Sequence, residues 1–260
     1  MGDHNMSNIE LASDRAPTTN KQKIKADLIA YQPNFRSLLA RTNVGEDEFA
    51  AMVTNAVRDT DKLVNCSPAT IIGAALRCAQ LGLAPNDGRN LAWIIPRGGK
   101  ASFQLGYGGV LELARRAVPG IKFEGRAVYP NDTFDISYGQ PHPLHHVPAI
   151  SKQKPRGGDA FAWYVLVSYP DGTEQVHHLD REGVEYHRNS SQMKNSGMWK
   201  DNYDAAALKS VVMDLKRWLP SEVTSPDLQI GVESDGETFD VTEMAEEDDT
   251  IEVDSTEVAG

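Results

Sequence analysis

Residues 102–117 read SFQLGYGGVLELARRA. A strand-like run stops at Gly106-Tyr107-Gly108-Gly109, and a helix-like run follows that ends in Arg115 and Arg116. Glycines at such a junction lack Cβ atoms, so another backbone can come close. On the upstream side, LAWIIP (91–96) and ASFQL (101–105) flank RGGK, a hairpin turn with basic ends. On the downstream side, IKFEGRAVY (121–129) and TFDISYG (133–139) read as a second strand pair joined at Pro130-Asn131-Asp132. AFAWYVLVSY (160–169) and TEQVHHLD (173–180) flank Pro170-Asp171-Gly172, and Phe161, Trp163, Val165 and Val167 alternate as one sheet face should. The stretch 141–159, rich in Pro and His, reads as irregular.

Helices surround these strands. Residues 24–42 form a helical run that Pro33 divides. EDEFAAMVTNAVRD (46–59) carries an apolar stripe at Phe49, Met52, Val53, Ala56 and Val57. SPATIIGAALRCAQLGL (67–83) has Ser67 to cap, Pro68 in the first turn and Gly82 at the exit. A last helix is expected over 199–219, stopping at Pro220. The order gives an α+β fold of mainly antiparallel hairpins packed with helices. It lacks the regular βαβ alternation of a doubly wound nucleotide-binding fold.

The 260 residues carry a formal net charge of −11, which at first argues against a nucleic-acid partner. Twelve acids and no Lys or Arg fall between Glu233 and Gly260, so residues 1–232 carry +1. Three regions are expected: a flexible N-terminal arm (1–23), a single domain (24–225) and a disordered acidic tail (226–260). A cut after Ser225 should then leave folding intact. The arm lacks the apolar stretch of a signal peptide, and no run approaches a membrane span. Cys66 and Cys78 lack metal or redox spacing and read as small apolar filler in a reducing compartment.

The Gly cluster is neither a P-loop nor a complete GxGxxG, because position 111 is Leu. Basic residues gather around it: Arg97, Lys100, Arg115, Arg116, Lys122 and Arg126 stand against Glu112 and Glu124. A second group, Arg188, Lys194, Lys200, Lys209, Lys216 and Arg217, is interleaved with Tyr186, Trp199, Tyr203 and Trp218. Cations that follow phosphates beside rings that stack bases are how single strands are held. The plainer reading of each cation is a solvated face, with Glu112 paired to Arg115 or Arg116. Trp163 and Trp218 read as core. His142, His145, His146, His177 and His178 offer nitrogen ligands, but no cysteine or acid sits at ligand spacing, so zinc is disfavoured. Asp132 and Asp135 beside His142 are the one weak motif for a metal-dependent nuclease.

Taken together, VNCSPATIIGAALRCAQLGLAPN, AWIIPRGGKASFQLGYGGVLELARRA and MWKDNYDAAALKSVVMDLKRWLP resemble, in order over about 45–220, the RecT family of phage and prophage single-strand annealing proteins. Gly108 departs from the pattern, which is expected to carry a basic residue after the Tyr. The resemblance implies a RecT-type core and an ATP-independent, non-enzymatic protein. Such a protein binds single-stranded DNA and anneals complementary strands as a homo-oligomer, a ring or a helical filament, with DNA in a basic groove. The groove would draw on Arg97, Lys100, Tyr107, Arg115, Arg116, Arg126, Lys209, Lys216 and Arg217. Implied partners are single-stranded DNA, the annealed duplex, a phage exonuclease and the host single-stranded DNA-binding protein, in the bacterial cytoplasm and without a membrane. No cofactor is implied, with Mg2+ only a modulator of DNA binding. The alternatives are a passive single-strand coating protein and the nuclease.

Overall fold

The computed structural model describes residues 19–242, apart from 41, 154, 192, 193 and 196. The N-terminal layer is helical: α1 (Asn20–Ala30), α2 (Gln32–Leu39), α3 (Glu46–Asp59) and α4 (Pro68–Leu81). Thr19 and Gln22 form a reciprocal capping box, so helix begins inside the segment expected to be a flexible arm. Residues 1–18 lie outside the described residues. Pro33 sits in the first turn of α2, where a missing N–H costs nothing. The stripe on α3 buries Phe49 and Val53, and Phe49 meets Phe35 of α2 at a ring separation of 5.3 Å. Helix α4 is buried almost all round because its residues are small, and Gly82 ends it in the left-handed region at φ 60°.

Strands β1 (Ala92–Arg97) and β2 (Lys100–Leu105) form an antiparallel hairpin on α4, turning on Gly98 and Gly99, both at positive φ. Helix α5 (Tyr107–Ala117) follows at once. A three-stranded antiparallel sheet comes next, in the order β3 (Lys122–Val128), β6 (Ala162–Ser168), β7 (Glu174–Asp180). Helix α8 (Tyr203–Leu215) lies on one face of it, where Gly125 lets Leu208 approach. The hairpin of β4 (Thr133–Ile136) and β5 (Leu144–Val147) covers the other face, over Val128, Tyr164 and Val176. Trp163, fully buried, and Val165 join this sheet to the core built from α2–α5.

The α+β class is as expected, and three local assignments change. Residues 121–129 and 133–139 do not pair: β3 pairs with β6 from Lys122↔Ser168 to Val128↔Ala162, and β4 pairs with β5 inside the stretch read as irregular. Asp132 sits in the turn where the two strands part: its carboxylate accepts from the amides of Tyr129 (2.9 Å) and Ala149 (2.8 Å) and from Arg156, which ties that turn to the segment after β5. The helix expected over 199–219 is two helices, α7 (Met198–Asp201) and α8, divided at Asn202. Helix α6 (Arg181–Ser190) follows β7 directly and is capped by Asp180.

The third change is at the C-terminus. Residues 226–242, assigned from sequence to a disordered tail, are ordered. Ser225 caps helix α9 (Pro226–Glu233), Leu228 is fully buried, and Gly231 packs among Leu81, Leu105 and Leu113. Five acids in this stretch masked an apolar helix face. The remainder of the expected tail, 243–260, lies outside the described residues. Among the described residues no helix is long and apolar enough to cross a membrane.

Candidate nucleic-acid interface

The three glycines of the opening stretch admit backbone, and the backbone belongs to this chain. The Gly106 amide donates to the Leu91 carbonyl (3.0 Å) and that of Gly109 to the Asn90 carbonyl (3.3 Å). A Cβ on Gly106 would overlap the Asn90 carbonyl, and one on Gly108 the Arg89 carbonyl. Amides at a helix N-terminus can hold phosphate, but here a protein carbonyl takes part of that role. The same crowding explains why no basic side chain stands at 108. Tyr107 is half-buried against the core, and its hydroxyl accepts from Asn90 Nδ2 at 3.4 Å.

The two arginines at the far end of α5 have different roles. Arg116 donates to the carbonyls of Leu81 (2.8 Å) and Gly82 (3.0 Å) and to Glu112 (3.0 Å). It therefore caps α4, where a cation meets the negative end of the helix dipole. Both side chains are exposed, and Arg116 carries these bonds into the fold. Arg115 is exposed, and its guanidinium lies 5.7 Å from the Phe123 ring centroid. Beside it a cleft of about 740 Å³ opens between α5, the end of α4 and the segments 42–44 and 89–91. Arg89, Arg115 and Arg116 line it together with Glu112 and Asp227. Arg89 was not among the expected site residues, and it is ion-paired with Asp87 in the turn before β1.

Arg97 and Lys100 are cross-strand neighbours at the exposed tip of the β1–β2 hairpin, as the turn sequence implies. Arg126 is exposed on β3 and paired with Glu124 at 2.9 Å. Lys209 is half-buried on α8, and Arg217 is exposed just past its end. Lys216 does not present an open charge. Its side chain is 10% exposed, and its ammonium lies 3.0 Å from Asp235. Asp235 also accepts from the Leu105 amide (3.1 Å), which places Lys216 beside the strand–helix junction but in an ion pair. Lys209 and Lys216 therefore do not form an open basic face. Trp218, expected in the core, is 64% exposed next to Arg217, whereas Trp163 is core as expected.

The histidines are dispersed. His142 contacts Glu174, His177 contacts Asp214, and His178 contacts Tyr138. His146 lies between Asp132 and Tyr164. Asp132 is committed to this buried network. Burial alone would raise its carboxyl, but bonds from Arg156, Ala149, Tyr129 and His146 outweigh that and hold it well below the usual carboxylate range. Asp135 stands opposite His145 in the β4–β5 ladder, so the Asp132, Asp135 and His142 motif does not converge. Among the described residues no group of three His, Cys, Asp or Glu is placed to hold a metal ion.

The chain is 27% identical to Protein RecT of Escherichia coli (strain K12) over 223 residues, covering 81% of this chain and 80% of that one. It is 26% identical over 207 residues to the uncharacterized protein YqaK of Bacillus subtilis (strain 168), covering 79% and 70%. The RecT family model matches residues 47–255, from α3 through the β1–β2 hairpin, α5 and α8 to the acidic C-terminus, and the chain belongs to the RecT family of recombination and annealing proteins.

Proposed function

We propose that this chain binds single-stranded DNA and anneals complementary strands without nucleotide hydrolysis, as a homo-oligomer in phage-type recombination in the bacterial cytoplasm. The observation that carries the reading is the RecT match across 47–255. The exposed cations Arg97, Arg115, Arg126 and Arg217, with Trp218 beside the last of them, support it. Backbone contacts carry no sequence information, so partner choice is left to base pairing. Many such contacts repeated along an assembly give avidity without a deep well at any one step. A phage exonuclease and the host single-stranded DNA-binding protein are the proposed partners, with Mg2+ modulating binding.

Complementary oligonucleotides mixed with the protein should pair faster than alone, with ATP making no difference. Strict ATP dependence defeats the reading, and binding without faster pairing leaves a passive coating protein. The α5 arginines supply a sharper measurement. Arg115→Ala is expected to weaken binding to every single-stranded sequence alike. It should also flatten the slope of log affinity against log salt by about 0.7 for each lost phosphate contact. Arg116→Ala is expected to act on the fold instead, lowering stability by ~1–2 kcal/mol as the α4 carbonyls lose their donor. Thermal melts of the two variants beside salt titrations separate these effects.

A further inference from the structure

After α9 the chain runs along the open edge of β2. The Gly236 amide donates to the Phe103 carbonyl (2.9 Å), and the Phe103 amide donates to the Glu237 carbonyl (3.0 Å). The hydroxyls of Ser102 and Thr238 share a hydrogen bond of 2.7 Å. The Phe239 backbone sits on α4 where Gly73 lacks a side chain, and its ring lies 4.4 Å from the Arg77 guanidinium. This segment is acidic at Asp235, Glu237 and Asp240. Asp235 occupies Lys216, Glu237 acts on the charge of Arg77, and Gly236 lies beside the Arg97 guanidinium. Arg77 Nε is buried with no hydrogen-bond partner among the described residues, so the strap leaves a donor unfilled beneath it.

We infer that residues 235–239 are an acidic latch that holds the β1–β2 face closed and must release for a nucleic-acid backbone to reach it. The inference rests on the proposed DNA binding. A carboxylate and a phosphate diester present the same charge sign and acceptor chemistry to Lys216, which Asp235 occupies, so strap and DNA compete for that cation. The strap is covalently attached and acts at the high effective concentration of a short tether. DNA therefore binds with an apparent affinity reduced by the fraction of molecules in which the latch is open. Release also bares the amides of Phe103 and Leu105 on the β2 edge.

Ser102→Cys combined with Thr238→Cys tests this, because the two hydroxyl oxygens stand close to where the sulfurs of a disulfide would lie. Native Cys66 and Cys78 are buried, and burial raises both thiols, which keeps them out of the reaction. The oxidised protein is expected to bind a labelled single-stranded oligonucleotide about tenfold more weakly than the reduced protein, with dithiothreitol restoring binding. Equal binding in the two forms overturns the latch, and absence of binding in both defeats the DNA reading on which it rests. Amide exchange on the unaltered chain gives a second measurement. Phe103 and Gly236 should exchange faster when the oligonucleotide is bound, and unchanged or greater protection overturns the latch.

Discussion

A chain ending at Ser225 is expected to lose its cooperative fold, whereas one ending at Thr242 keeps every contact described above for α9 and the strap. The shorter chain loses Leu228, fully buried, and uncovers Leu81, Leu105 and Leu113 around Gly231. Deleting one buried leucine side chain costs about 2–5 kcal/mol. Lys216, 10% exposed, would also lose Asp235, and an ion pair broken from one side in a buried setting costs about 3–5 kcal/mol. Together these approach the roughly 5–15 kcal/mol that holds a domain folded. Circular dichroism melts of the two lengths decide the matter. A native-like transition in the chain ending at Ser225 would show that α9 only decorates the core.

The second large effect centres on Asp132, whose side chain is fully buried. Asp132→Ala leaves the Arg156 guanidinium, His146 and the amides of Tyr129 and Ala149 without their acceptor. A loss of about 3–5 kcal/mol is expected, which lowers Tm by on the order of 10 °C in a chain of this size. The same residue sets an acid limb. Because the folded carboxyl is held below its unfolded value, its contribution is complete above about pH 4 and drains as pH falls further. Wild-type stability should therefore fall more steeply below pH 4 than that of Asp132→Asn. Parallel slopes in urea titrations at pH 3 and pH 6 would show that the network does not couple to protons.

The elements legible in the sequence are those fixed by neighbours along the chain. The stripe on 46–59 gave α3 to the residue, and RGGK and Pro170-Asp171-Gly172 gave two hairpins. The pairing of β3 with β6 was not legible, because a strand of alternating exposure does not name a partner some forty residues away. Helix α9 was hidden by its acidic surroundings, since composition averages over a face that geometry separates. The same limit applies to the site. Charge and spacing picked out Arg97, Lys100, Arg115, Arg116 and Lys216 as clustered cations. They did not reveal that Arg116 serves the carbonyls of Leu81 and Gly82, or that Lys216 serves Asp235. Exposure of Trp218 was missed because a tryptophan ending an apolar helix ordinarily turns inward.

Helix α8 is held differently at its two ends. At its start Asp204 accepts from Trp163 Nε1 (3.0 Å) and from the Tyr129 hydroxyl (2.6 Å), and the Tyr129 ring is stacked under Arg156, which grips Asp132. That chain of bonds pins the start of α8 to the sheet and to the loop on the sheet's far side. At the other end, about 18 Å along the axis, Lys216 is tied to a single carboxylate on the strap. Mechanically, α8 is a beam clamped at its start, fastened to β7 near its end by Asp214 on His177, and tied to the strap at Lys216. A load applied at Lys216 meets the Asp235 contact first and then Asp214 on His177, so movement of the strap reaches the β3–β6–β7 sheet at β7.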